Sequence, residues 1–138
     1  MSLTSNRSTV ELADDGRIMV LPVAAGKNIF EGAMVAINAT GYAVPASAAI
    51  NLKVAGRAET AADNRTGADG ETFVNIKRSV FIWENDSVAA NKVTSAHLLA
   101  PCYIKDDCTV TAESTGTSPA GKVIAVYDDG TVAVELGI

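Results

Sequence analysis

The residues able to do chemistry in this 138-residue chain are few. His97 is the sole histidine, and Ser95 lies two positions before it. A Ser-His-Asp triad would have to pass through His97. The sequence has no G-x-S-x-G turn to raise a serine nucleophile against an oxyanion hole, so the pair carries no triad signature. Carboxylates occur in pairs at Asp14-Asp15, Asp106-Asp107 and Asp128-Asp129. Glycosidase carboxylates must face each other across a cleft. Each of these pairs sits at a turn signal instead, where aspartate bonds its own backbone. The loop DNRTGADGE gathers Asp63, Asn64, Thr66, Asp69 and Glu71. Such oxygen density suits calcium, which takes about six to eight ligands, but the spacing is not that of an EF-hand. A solvated acidic loop is the simpler reading.

Cys102 and Cys108 flank YIKDD, read as a strand and a tight turn. A cross-hairpin disulfide is conceivable there, although a reducing cytoplasm disfavours it. The spacing is not that of a CxxC redox pair, and two small, half-buried thiols are the expectation. With one histidine and two cysteines, the ligand sets of common zinc sites cannot be assembled within one chain. No phosphate-cradling glycine motif occurs. We therefore expect no catalytic residue, no metal and no cofactor.

The positioning elements follow a period of two. Residues 17–23 (RIMVLPV) form a strand candidate, and Pro22 points to an edge because it cannot donate to a ladder. Residues 33–37 (AMVAI) and 42–44 (YAV) read as a hairpin about NATG, and residues 53–58 (KVAGRA) as a weaker strand. Residues 60–70 (TAADNRTGADG) form a polar, mobile loop on this reading. Residues 72–77 (TFVNIK) alternate with Val74 and Ile76 on one face, whereas residues 79–83 (SVFIW) are apolar on both sides. Phe81 and Trp83 are thus candidates for an oligomer interface, with core packing as the plainer role. Residues 94–99 (TSAHLL) make one short helix with Thr94 as N-cap, closed by Pro101. Strands around Asp106-Asp107 follow, then a loop over residues 113–121, and a hairpin over residues 123–136 about Asp128-Asp129-Gly130.

The sum is an all-β fold: a compact β-barrel or β-sandwich of short antiparallel strands with one short helix and an extended N-terminal arm. The arm covers residues 1–15 and a single β-rich domain residues 16–138. At this length one core buries roughly two thirds of the unfolded surface without staples. With 48% hydrophobic and 20% charged residues the chain is too apolar for disorder. A net charge of -5 argues against nucleic-acid binding by phosphate neutralisation. The uncharged stretch 32–52 is long enough for a bilayer, but its asparagines, Thr40, Gly41 and Pro45 argue against a span. The polar N-terminus lacks the apolar run of a secretory signal, which points to synthesis in a cytoplasm.

The order of short motifs says more than any one of them. After a polar arm come LPVAAG (21–26), FEGAMV (30–35), GYAVPA (41–46), VAGRA (54–58), then Asp63-Asn64 with GADG (67–70). VNIKRSVF (74–81), YIKDD (103–107) and PAGKV (119–123) complete the series. This succession resembles the small capsid decoration (cement or head-stabilising) proteins of tailed bacteriophages. The resemblance implies a non-enzymatic virion protein, made in the host bacterial cytoplasm. It would bind the outer face of an assembled capsid as a homo-oligomer, a trimer or a dimer, and hold major capsid subunits together. Cys102 and Cys108 depart from the family pattern, but no implied role depends on them. On the same reading the arm, through Asn6, Arg7, Ser8, Thr9, Val10 and Leu12, is the candidate capsid interface, able to add a strand to a capsid edge. The rival class is a ligand- or carbohydrate-binding β-module of a tail or cell-surface protein, which needs exposed aromatics along a groove. A small hydrolase is the weakest reading.

Overall fold

The computed structural model describes Ser2, residues 4–8 and residues 17–137. Among these the chain forms twelve strands: β1 (Ile18–Pro22), β2 (Asn28–Ile29), β3 (Met34–Ile37), β4 (Ala43–Pro45), β5 (Lys53–Ala58), β6 (Ala62–Asp63), β7 (Phe73–Lys77), β8 (Val80–Asn85), β9 (Pro101–Ile104), β10 (Thr109–Thr111), β11 (Pro119–Val126) and β12 (Val132–Leu136). They build a five-stranded sheet in the order β1-β7-β5-β3-β4, a closed barrel in the order β10-β8-β12-β11-β9, and a two-stranded ribbon of β2 and β6. The fold is all-β. Among the described residues β1 is the last strand of the sheet order, where Pro22 costs no ladder bond, and just past it Val23 bridges Ala43 of β4.

Two hydrophobic cores organise the molecule. The barrel core holds Trp83, Ile104, Val110, Val123, Val132, Val134 and Leu136 together with Met34, Ala36 and Val44. The second core holds Leu21, Val23, Ile29, Val74 and Ile76 with Val35, Ala43 and Ala55. Alternate residues of β3 and β4 therefore enter different cores. This is why residues 33–37 read as a continuous apolar run rather than an alternating one: the strand is covered on both faces. Beyond the barrel the sheet continues as β7 and β1. There the outer residues are open to solvent, with Ile18 74%, Val20 60% and Phe73 58% exposed.

The short elements differ from expectation in three places. The helix of residues 94–99 is a single 3-10 turn, Ser95–His97, and another such turn occupies Ala89–Asn91. β11 begins at Pro119, inside the stretch read as a loop. The barrel is also not wholly antiparallel: β10 runs parallel to β8, pairing Thr109 with Glu84 and Val110 with Asn85. The chain leaves β8 through the two 3-10 turns and returns along the β9–β10 hairpin, so the ring closes on this short parallel seam. Close approach elsewhere in the ring is set by Gly121, whose missing Cβ leaves room for the backbone carbonyl of Glu135.

Candidate functional surfaces

The reactive side chains are spent locally. His97 accepts the Thr94 backbone N–H at Nδ1 over 2.9 Å, a bond that closes its own 3-10 turn. Asp106 and Asp129 act as turn residues: Asp106 Oδ1 accepts from Cys108 N at 2.9 Å, and Asp129 Oδ1 accepts from Thr131 N and Oγ1 at 3.0 and 2.7 Å. Asp14 and Asp15 lie outside the described residues.

The oxygen-rich loop spends two of its three carboxylates on protein donors. Asp63 is engaged by the Arg65 guanidinium at 2.9 and 2.7 Å, and that bond first of all holds its carboxyl at about 2. Asp69 Oδ1 accepts the Ala25 N–H at 2.7 Å. Asn64 is only 2% exposed, and its amide faces the carbonyls of Val23, Ala24 and Ala68 at 3.1, 3.1 and 2.9 Å. The loop read as mobile is thus pinned from within by a buried polar anchor, and β6 pairs part of it to β2. The Asp63, Asn64 and Asp69 oxygens accept from Arg65, Thr72 and Ala25, while Glu71 Oε2 and Asn64 Oδ1 lie side by side at Gly67.

Among the described residues one group of three potential ligands does converge, Asp106, Asp107 and Cys108, in the exposed β9–β10 turn. Burial and the Asp106 charge raise the Asp107 carboxyl. The Thr109 hydroxyl lowers the Cys108 thiol, but burial and the two aspartates together raise it. Both thiols are free, Cys108 exposed and Cys102 buried in the barrel core. Burial pushes the Cys102 thiol up to about 12. The thiolate is the nucleophile, so the two sites should differ sharply in alkylation. At neutral pH iodoacetamide is expected to add one equivalent, at Cys108. Cys102 should react only in denaturant. Two equivalents in the native protein, counted by intact mass, would contradict the barrel placement.

The interface candidates are divided. Trp83 is 5% exposed and belongs to the barrel core, where its indole N–H finds no acceptor among the described residues. Phe81 is half-buried, edge-on to Trp83 with centroids 6.3 Å apart, and the Arg57 guanidinium covers its ring at 4.2 Å. The side chains that β8 offers outward are Val80 and Ile82, 44% and 61% exposed. Alternation on this strand is regular; the sequence hid it because both faces carry apolar residues. In the arm, Asn6, Arg7 and Ser8 are exposed and in neither strand nor helix. Thr9, Val10 and Leu12 lie outside the described residues.

Two features escaped the sequence. One is the overhang of Ile18, Val20 and Phe73. The other is a cleft of about 470 Å³, bordered by residues as distant in sequence as Met19, Lys53, Arg78 and Gly137. No local motif announces either, because each is made where strand ends from separate hairpins meet. No described helix is long and apolar enough to cross a membrane, and the uncharged stretch 32–52 supplies β3, β4 and their connections. No family model, no curated protein and no solved structure matches the chain.

Proposed function

We propose that this chain is a non-enzymatic structural protein of a bacteriophage virion. It binds the outer surface of the assembled capsid as a homo-oligomer, a trimer, and stabilises contacts between major capsid subunits. The motif order of the sequence suggests the class, and one structural observation carries the reading. Ile18, Val20 and Phe73 expose apolar side chains on one face of the edge pair β1–β7, interleaved there with Asn75 and Lys77, in a chain that carries a net charge of -5. Adjoining exposed apolar side chains on a rigid sheet mark an association surface. The rival reading as a carbohydrate-binding module is disfavoured by Trp83, the strongest stacking residue, being spent in the barrel core.

Co-sedimentation with empty capsids tests the proposal. The full chain is expected to pellet with capsids and to run in solution at three times its 14.2 kDa mass. Deleting residues 1–12 should weaken capsid binding about tenfold, as loss of an added strand would, while leaving the barrel folded. Unchanged affinity of the truncated chain would remove the arm from the interface. A monomer that never pellets would remove the proposal itself.

A further inference from the structure

We propose that the cleft beside β5 is a docking site for an extended acidic, aliphatic segment of a partner polypeptide. β5 spans Lys53–Ala58 but pairs with β7 only at Arg57 and Ala58. Its first half runs past the end of β7, so Lys53, Val54 and Ala55 have no described strand on that side. The space left is the cleft of about 470 Å³, within the range of sites that hold several ligand groups. Its apolar wall is drawn from the fringes of both cores: Leu52 and Val54 from the barrel side, Met19 and Ile37 from the sheet side.

Charge selects the occupant. Among the described residues, the ionisable ones lining the cleft are Lys53 and Arg78. In a chain of net charge -5 two cations at one opening are unexpected by composition. Arg78 is also held in place. Its Nη2 donates to the Gly137 carbonyl at 2.8 Å, and the guanidinium lies where a Cβ on Gly137 would fall. A preset guanidinium loses little freedom on meeting a carboxylate, which it can bind through two parallel hydrogen bonds. An unpaired strand edge recognises an extended backbone, alternate side chains of that backbone fill apolar pockets, and carboxylates between them meet the cations. A peptide of alternating aliphatic and acidic residues has this pattern. The inference is independent of the capsid reading, since it rests on the cleft alone.

Methyl-labelled methionine in the full chain provides the readout, because Met19 lines the cleft and Met34 is fully buried elsewhere. The probes are the acetylated, amidated pentapeptides Leu-Glu-Leu-Glu-Leu and Leu-Lys-Leu-Lys-Leu, and decanoate. The acidic peptide is expected to shift the Met19 methyl saturably and leave Met34 unmoved, and the basic peptide to do nothing. Lys53→Glu, at an exposed position that should not disturb folding, should weaken the acidic peptide about fivefold. Arg78→Gln should weaken it more. Equal response to both peptides, no saturable shift at Met19, or a response to decanoate without one to the acidic peptide would each overturn the proposal.

Discussion

Replacement of Asp86 by alanine should destabilise the protein by about 2–3 kcal/mol, the largest loss expected from removing a native carboxylate here. Asp86 directly follows β8 at the parallel seam that closes the barrel. Its side chain is 3% exposed and receives Lys105 Nζ at 2.6 Å, Thr111 Oγ1 at 2.8 Å and the Val88 N–H at 2.9 Å. Its backbone N–H donates to the Val110 carbonyl at 3.0 Å. One residue thus ties the end of β8 to the β9–β10 hairpin. That matters because β10 meets β8 over only two residue pairs. Breaking a buried ion pair costs about 3–5 kcal/mol when the abandoned charge stays buried. Here Lys105 is 38% exposed and can turn to water, and Thr111 keeps the Asn91 carbonyl at 3.2 Å, so the loss falls at or below the bottom of that range.

The same network fixes a pH dependence. Lys105 first, then the Val88 N–H, hold the Asp86 carboxyl at about 2, against an ordinary value of 3.8. The folded state therefore favours the ionised form. Its stabilisation is complete above pH 4 and is lost as pH falls from about 4 toward 2. Urea unfolding followed by circular dichroism should show wild type and D86A far apart at pH 7 and nearly coincident at pH 2. Coincidence at pH 7 would show that the seam does not depend on this carboxylate.

Elements with local signals were legible, and those made by distant strands were not. The β11–β12 hairpin announced itself through Val132, Val134 and Leu136 at alternate positions behind Asp128-Asp129-Gly130, and those three side chains are buried. β7 was readable from its alternation, and β5 more weakly because its pattern is rich in alanine and glycine. The parallel seam was hidden because nothing in TVT or EN encodes which neighbour the strand will meet. Trp83 and Phe81 were open to both a core and an interface role because Val80 and Ile82, equally apolar, occupy the opposite face; the closed ring shows which pair points inward. The cleft depends on β5 outrunning β7, a difference of strand lengths in space. Asn64 was lost inside a polar run, since composition cannot distinguish a solvated asparagine from a buried one.

That asparagine is the second site of large effect. Asn64→Asp, which changes one amide to a carboxyl of the same shape, should cost about 4 kcal/mol at pH 7. The Asn64 amide nitrogen is surrounded by three carbonyl oxygens, and its oxygen accepts the Thr72 hydroxyl at 3.2 Å. A carboxylate would keep the Thr72 bond but turn negative charge toward three acceptors in a buried position. Asn64→Leu should be milder, about 2 kcal/mol. The carbonyls of Val23, Ala24 and Ala68 each retain a backbone donor, from Gly70, Lys27 and Glu71, so none is orphaned. The aspartate variant should also respond to pH in the opposite sense to Asp86. Its surroundings favour the neutral acid, which raises the folded-state value above the usual 3.9 or so and makes the variant lose stability as pH rises through and beyond that range. Unfolding of N64D measured from pH 4.5 to pH 7, above the range in which Asp86 takes up its proton, should therefore show a falling midpoint while N64L stays flat. A flat N64D profile, or a loss below about 1 kcal/mol at pH 7, would mean that the loop yields around residue 64 instead of being pinned by it.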